Sequence, residues 1–221
     1  MGWMTEWLRR STRSARTAFV VLALVTASLA ACGDDNDVAP SKPAVQVLAF
    51  GDSLVVGIGT TSGNNFVSLL SSRVGVNIYN AGRSGETTSS ALNRLQTDVL
   101  SRTPEIVIVL LGGNDLLRGV PVSERVANIT SIATQIRATG ATVILVGLGN
   151  DPIDPYNGAL PGIAAQTGSV HVPGILEGIF GVPGLMFDAI HPNNAGHQIM
   201  ADRLEPSLRA ALAQHLAVFA R

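Results

Sequence analysis

Short apolar runs alternate with segments of helical periodicity along most of this 221-residue chain, and this alternation restricts the fold more than any other feature. Three runs are short enough to be strands buried on both faces: 45–50, 106–111 and 141–146. Three segments carry apolar side chains at helical spacing: 65–73, 89–100 and 122–138. Strands that alternate with helices predict right-handed crossovers, and therefore a parallel sheet covered by helices on both faces.

The remaining segments complete this α/β prediction. Residues 76–79 and 169–172 predict two further short strands, which makes a sheet of about five. Residues 148–162 are rich in Gly, Pro, Asp and Asn, and we expect a loop there with at most one helical turn after Pro155. Residues 194–218 predict a long amphipathic helix in which Pro206 is a potential break. The predicted architecture is a three-layer αβα sandwich with a central, mostly parallel sheet.

The N-terminus has the pattern of an export signal. Four arginines precede residue 18, and residues 18–31 form an uncharged, largely apolar run that is shorter than the roughly 20 residues of a membrane span. The run ends in Leu-Ala-Ala before Cys32, which resembles the bacterial lipobox and implies cleavage before Cys32 and lipid attachment to its sulfur. An ordinary cleaved signal and an uncleaved anchor are the alternatives.

This N-terminal pattern predicts three parts of the chain. Residues 1–31 would be a lipoprotein signal peptide, residues 32–43 an acylated cysteine with a flexible tether, and residues 44–221 the folded domain. The domain would then lie in a bacterial cell envelope, periplasmic or otherwise extracytoplasmic, with the lipid as its membrane attachment.

Composition excludes some classes of function. The formal net charge of −1 lacks the basic excess of a nucleic-acid binder. A single cysteine forms no internal disulfide and cannot by itself complete a zinc site.

Three loops and one turn carry the residues that suggest chemistry. The first predicted strand runs into GDSL at positions 51–54, where a strand-end serine could act as a nucleophile if a base lies nearby. Asp188 and His191 are three residues apart near the C-terminus and could supply an imidazole base with a carboxylate that orients it. The other two loops read NAGRSGET at 80–87 and GGND at 112–115, with glycines and an amide suited to binding an oxyanion.

In this order, the four motifs resemble the SGNH (GDSL) hydrolase family over about residues 45–205, nearest its bacterial periplasmic acyl-CoA thioesterase, lysophospholipase and arylesterase branch. The resemblance implies a flavodoxin-like fold and an enzyme that hydrolyses small-molecule aryl esters, acyl thioesters or lysophospholipids without metal or cofactor. We expect this enzyme to be a monomer. It implies that Ser53 is the nucleophile, that His191 is general base and acid, and that Asp188 orients His191. The oxyanion hole would consist of the N–H groups of Ser53 and Gly85 and the side-chain amide of Asn114.

The resemblance has two departures, and they affect the substrate more than the chemistry. Glu86 stands where the close branch commonly has Asp, and residues 147–156, which border the acyl site in the family, match it poorly. Acyl transfer to an envelope glycan or lipid also stays open, because the same triad serves transfer and hydrolysis, and glycan O-deacetylation is a third variant. A lipoprotein that binds a ligand without catalysis is the alternative of another class, against which the complete set of catalytic residue types argues.

Other residues near these motifs have simpler interpretations. We expect Asp52 to brace its loop, Asp115 to be structural, and Asn80 to support the second loop. Arg83 and Arg118 could contact an anionic substrate group, although a solvated arginine is the commoner outcome. His197 is expected to be exposed on the last helix.

Overall fold

The computed structural model describes residues 45–149 and 154–218. The predicted signal peptide (1–31), Cys32 and the tether (32–43) lie outside the described residues. The strands, in chain order, are β1 (Val47–Gly51), β2 (Ile78–Gly82), β3 (Ile106–Leu110), β4 (Thr142–Val146) and β5 (Val170–Val172). The helices are α1 (Ser53–Val56), α2 (Phe66–Val74), α3 (Thr88–Asp98), α4 (Gly113–Leu117), α5 (Val122–Ala138), α6 (Pro155–Thr167) and α7 (Asn194–Val218). Of these helices, none combines the length and the apolar character needed to cross a bilayer.

The five strands form one parallel sheet in the order β2-β1-β3-β4-β5. Strand β1 pairs with β2 on one side and β3 on the other, so that Gly51 lies opposite Gly82 and Leu110. This is the flavodoxin-like order, and it confirms the predicted α/β fold with a central five-stranded sheet. The carboxyl ends of β1, β2 and β3 lie side by side at one edge of the sheet. The strand order changes direction here, because β2 lies on one side of β1 and β3 lies on the other.

Side chains alternate between the two faces of the sheet and form two separate cores. One core lies under α2 and α7 and contains Ala49, Ile108 and Ile144 among its strand residues. The other lies under α3, α5 and α6 and contains Phe50 and Val109. Both faces of the central strands are buried, which explains why those strands are apolar throughout in the sequence.

The segment after β4 departs from the sequence-based expectation. Residues 148–162 were expected to be loop, yet α6 begins at Pro155 and continues to Thr167. The side chain of Asp154 caps it by accepting from the Tyr156 N–H, and proline is well tolerated in the first helical turn. Tyr156, Leu160, Ile163 and Ala164 share the buried face. Their burial outweighs the low helix propensity of the glycines and of Pro161 within the helix.

Helix α7 also continues through its proline. Residues Leu204 and Leu208 are fully buried on either side of Pro206, and the helix runs unbroken from Asn194 to Val218. Packing of this face against the sheet compensates for the backbone hydrogen bond that proline removes.

A buried ion pair attaches α6 to α5. The Arg125 guanidinium donates two parallel hydrogen bonds to the Asp154 carboxylate, at 2.8 and 2.9 Å, and lies 5.1 Å from the centre of the Tyr156 ring. Both charged side chains are almost completely buried. Because each charge depends on the other for its compensation, removing one leaves the other unpaired in the interior.

We expect Arg125→Met to lower the free energy of unfolding by about 3–5 kcal/mol, because it leaves the buried Asp154 carboxylate without a cation. Adding Asp154→Asn, which retains a capping oxygen for α6, should recover part of that loss. Denaturant unfolding followed by circular dichroism measures both values. The matched control is Arg209→Met, which removes an exposed arginine from its pair with Glu205 and should leave stability nearly unchanged. An Arg125→Met variant as stable as the unmodified protein would contradict this account of the ion pair.

Candidate active site

Ser53 occupies a tight turn between β1 and the one-turn helix α1, where it is the first helical residue. The backbone of this turn packs closely against the ends of β2 and β3. A Cβ on Gly51 would lie 2.1 Å from the Leu110 carbonyl oxygen, and a Cβ on Gly82 would lie 2.5 Å from the Val56 nitrogen. Glycine at these positions therefore lets the serine turn pack directly between the ends of β2 and β3.

His191 and Asp188 lie on a closed turn just before α7. Phe187 donates its backbone N–H to the His191 carbonyl at 2.8 Å, and Oδ1 of Asp188 accepts from the N–H groups of Ile190 and His191 at 2.9 and 2.7 Å. The side chain of Asn193 accepts from the first N–H groups of α7 and so fixes where the helix begins. The turn thus presents both functional side chains toward the serine.

The three side chains form a continuous chain of hydrogen bonds. Ser53 Oγ lies 2.9 Å from His191 Nε2, and His191 Nδ1 lies 2.8 Å from Asp188 Oδ2. The hydrogen bond from the His191 side chain, with those from the backbone, lowers the pKa of Asp188 to about 2. An ionised Asp188 favours the tautomer with hydrogen on Nδ1, which leaves Nε2 able to accept the serine proton. The carboxylate achieves this although its side chain is 42% exposed.

The loop after β2 is fixed by two arginines. Gly85 has φ of 75°, a left-handed conformation that favours glycine, and its carbonyl accepts from Arg118 Nη2 at 2.9 Å. The next residue, Glu86, is buried and forms an ion pair with Arg94. Arg94 also donates to the carbonyls of Ala81 and Gly51, at 2.9 and 3.3 Å. The departure at Glu86 therefore has a structural purpose, since its side chain connects the Gly85 loop to the ends of β1 and β2.

The loop after β3 brings Asn114 beside the serine turn. Asn114 Nδ2 donates to Asp52 Oδ2 at 3.3 Å. The next residue, Asp115, is fully buried and accepts from the backbone N–H and the hydroxyl of Thr88 at 2.9 and 2.6 Å. Asp115 thereby joins α4 to the start of α3, which agrees with the structural interpretation of this residue.

A cavity of about 450 Å³ opens at this edge and is bordered by Ser53, Asn114 and His191. Its volume is within the range of small-molecule sites. The walls are largely apolar and come from Leu54, Leu116, Leu117, Leu148, Leu176, Phe180 and Ile190. Such a surface suits an acyl chain next to the serine.

Sequence reasoning missed part of this wall. Leu176 and Phe180 follow β5 in a segment rich in glycine and proline, which had no assigned role. A signal was present, because large apolar residues in a loop that follows a parallel strand must emerge at the same edge as the catalytic loops.

The other residues considered from the sequence have clear positions. Asn80 donates to the Val55 carbonyl at 2.6 Å and so supports α1. Arg83 pairs with Asp98 at 2.8 Å. Over the described part of the chain, no three His, Cys, Asp or Glu side chains are grouped so that they could hold a metal ion.

His197 is fully buried, so the expectation that it is exposed was wrong. Its Nδ1 accepts from the Phe66 N–H at 3.2 Å, and its ring stacks on that of Phe66 with centroids 6.0 Å apart. Burial lowers the pKa of His197 to about 4, which keeps the ring neutral. His197 thus attaches α7 to α2.

Asp52, the residue directly before Ser53, is a buried acidic side chain. It is 2% exposed, and its Oδ1 accepts from the Leu54 N–H at 2.9 Å as the cap of α1. Burial raises its pKa to about 6, against the opposing effects of the Leu54 hydrogen bond, the charge of His191 and the hydrogen bond from Asn114. At neutral pH the ionised form therefore lowers the stability of the folded state.

We expect Asp52→Asn to raise the melting temperature above about pH 6, because the variant keeps a capping oxygen and removes a buried charge. Since the pKa of Asp52 is raised by folding, its contribution to stability is present below about pH 4 and is lost as pH rises through about 6. The advantage of the variant should decrease as pH falls below about 6 and be nearly gone at about pH 4. Differential scanning calorimetry from pH 4 to 8 measures it, with the exposed Asp202→Asn as control. A variant less stable than the unmodified protein at pH 7 would contradict this account.

Comparison with known proteins identifies a family and related esterases. Residues 49–199 match the GDSL-like Lipase/Acylhydrolase family. The chain is 33% identical to "Esterase TesA" of Pseudomonas aeruginosa over 178 residues, which cover 75% of this chain and 89% of that protein. It is 27% identical to "Thioesterase 1/protease 1/lysophospholipase L1" of Escherichia coli K12 over 172 residues, covering 74% and 83%.

Among solved structures, a crystal structure of TesA superimposes with a TM-score of 0.71 at 32% identity, covering 75% of this chain and 99% of that one. The sequence match extends over more than half of the chain and includes the Ser53 turn, both glycine loops and the His191 turn. The chain therefore belongs to the GDSL-like lipase/acylhydrolase family and is an enzyme that hydrolyses ester bonds.

Proposed function

We propose that this protein hydrolyses carboxylic esters or thioesters through an acyl-Ser53 intermediate, with His191 as general base and acid and Asp188 as the residue that orients it. The observation that carries the proposal is the unbroken series of hydrogen bonds from Ser53 Oγ through the His191 ring to Asp188. An acyl chain would occupy the apolar cavity beside Ser53.

In the first half-reaction, Ser53 Oγ attacks the carbonyl carbon while Nε2 of His191 takes the hydroxyl proton. The carbonyl oxygen becomes an oxyanion next to the N–H groups of Ser53 and Gly85 and the amide of Asn114. Collapse of this intermediate breaks the bond to the leaving oxygen or sulfur, which takes the proton from His191. An alcohol or thiol leaves, and the acyl group stays on Ser53.

In the second half-reaction, His191 takes a proton from water as the water oxygen attacks the acyl carbon. The new tetrahedral intermediate expels Ser53 Oγ, which recovers its proton from His191. The product is the carboxylic acid, and the enzyme returns to its starting state. The ionised Asp188 stabilises the imidazolium in both halves and keeps its own charge.

We expect residues 33–221 to hydrolyse p-nitrophenyl esters, and Ser53→Ala to abolish that hydrolysis because it removes the atom that accepts the acyl group. Hydrolysis of p-nitrophenyl esters from acetyl to palmitoyl, monitored through the p-nitrophenolate released, gives kcat/KM for each acyl chain length. The optimum measures how much of the apolar cavity the acyl chain fills.

The control for this series is covalent labelling with a fluorophosphonate, which reacts with activated serines. Mass spectrometry should find the label on Ser53 in the unmodified protein and nowhere in Ser53→Ala. Hydrolysis that persists in the folded variant would contradict Ser53 as nucleophile. A labelled serine without ester hydrolysis would instead favour transfer to an acceptor other than water.

We also propose that the protein is exported and attached to a bacterial envelope membrane by acyl chains on Cys32, with the catalytic domain outside the cytoplasm. The support comes from the sequence: the four arginines, the apolar run 18–31 and the small residues before Cys32. The segment 33–43 is acidic and contains prolines, which is typical of a tether and gives no basic patch for anionic lipid. Attachment would therefore depend on the acyl chains themselves.

Growth of producing bacteria with an alkyne fatty acid tests this attachment. The full chain should incorporate the label and sediment with membranes, whereas Cys32→Ser should do neither, because it has no thiol for the lipid. Equal labelling of the two proteins, or an unlabelled full chain in the soluble fraction, would contradict lipid attachment at Cys32.

A further inference from the structure

Asp52 contacts two parts of the active site with two different oxygens. Oδ1 accepts from the Leu54 N–H and caps α1, whereas Oδ2 accepts from Asn114 Nδ2 at 3.3 Å. Asp52 and Asn114 are 62 positions apart and follow β1 and β3, which are neighbours in the sheet. One carboxylate therefore connects the turn of the nucleophile to the amide beside it.

Capping alone does not require a carboxylate. Helix α2 is capped by the Asn65 side chain, which accepts from the Ser68 N–H, and α3 is capped by Thr87, which accepts from the Ser90 N–H. Neutral side chains thus perform the same task at both of these helices, and Asn caps about as well as Asp. The charge at position 52 needs another explanation, because burial makes it unfavourable.

The explanation lies in the two ends of the Asn114 amide. Its oxygen and nitrogen have nearly the same size, so packing distinguishes poorly between the two orientations related by a half-turn. The orientation matters to the reaction, since Nδ2 stabilises a developing oxyanion and Oδ1 would repel it. An ionised carboxylate accepts hydrogen bonds and donates none, so it can bind only the NH₂ end.

Resting on the function proposed above, we propose that Asp52 is a positioning residue that fixes the Asn114 amide with its NH₂ end toward the reacting carbonyl. One hydrogen of Nδ2 is donated to Asp52, and the second is left for the oxyanion. Asp52, which is almost completely buried, acts through Asn114 in this arrangement. A neutral amide side chain at position 52 could accept from Nδ2 or donate to Oδ1 of Asn114, so it would no longer distinguish between the two orientations.

A double-mutant cycle on kcat tests this proposal, with a short p-nitrophenyl ester as substrate and the variants Asp52→Asn, Asn114→Ala and their combination. We expect Asn114→Ala to lower kcat by about 10²–10³-fold through loss of the donor. Asp52→Asn should lower kcat by a smaller factor, about 10-fold or more, with KM changed little, since the amide acts on the transition state. The combined variant should be no slower than Asn114→Ala, because Asp52 then has no amide to orient.

Other results would overturn the proposal. If the two losses multiply in the combined variant, Asp52 acts independently of Asn114. If Asp52→Asn retains kcat within about twofold, its charge has no positioning role. Asp202→Asn is the matched control, because it removes an exposed carboxylate away from the site and should leave kcat unchanged.

Two further measurements separate this proposal from simpler failures. The melting temperature of Asp52→Asn shows that a slow variant is folded, so that lost activity is not lost structure. Ser53→Ala separates a failure of the role proposed for Asp52 from a failure of the proposed function. An inactive Ser53→Ala together with an unimpaired Asp52→Asn overturns only the role of Asp52, whereas an active Ser53→Ala overturns the proposed function and this role with it.

Discussion

The active site depends on the parallel pairing of β1 with both β2 and β3. This pairing places Gly51 opposite Gly82 and Leu110, so the chain leaves three adjacent strands at the same level. The serine turn, the Gly85 loop and the Asn114 loop follow directly from those strand ends. A shift of one residue in either pairing would turn the alternating side chains of β1 to the wrong face. Burial of both faces of the sheet therefore also fixes where the three loops begin relative to one another.

The buried charges of the described residues are concentrated around this same edge. Loops lack the regular backbone hydrogen bonds that hold strands together, and here charged side chains hold them in place. Arg94 binds two carbonyls at strand ends as well as Glu86. Arg125 binds Asp154 at the start of α6. Arg94 and Arg125 each have a carboxylate beside them, as burial of a charge requires. These contacts connect the loops at this edge to the strand ends and to each other.

Much of this organisation could be predicted from the sequence. The apolar runs and helical segments predicted the parallel α/β sheet, and the structure confirms it. The four motifs identified the residues that the fold brings together, Ser53, Asp188 and His191 among them, because a strand end or a short turn fixes each motif locally. Their catalytic roles stay predictions. The resemblance to SGNH hydrolases agrees with the family and ester hydrolysis found by comparison.

What could not be predicted depends on contacts between distant segments. Helix α6 was missed because its glycines and prolines disfavour a helix locally, while burial of Tyr156 and Leu160 against the sheet favours it. His197 was expected to be exposed because nothing near it in sequence indicates that Phe66, 131 residues away, would cover it. The contact between Asp52 and Asn114 likewise exists only because β1 and β3 are neighbours.

Because all five strands run in the same direction, the chain enters the sheet at one edge and reaches the catalytic loops at the other. Strand β1 begins at Val47 and has five residues, which separates its entry point from the serine turn by about 16 Å. Residue 45, where the described part of the domain begins, therefore lies at the end of the sheet opposite the serine turn, so a substitution there is separated from that turn by the length of β1.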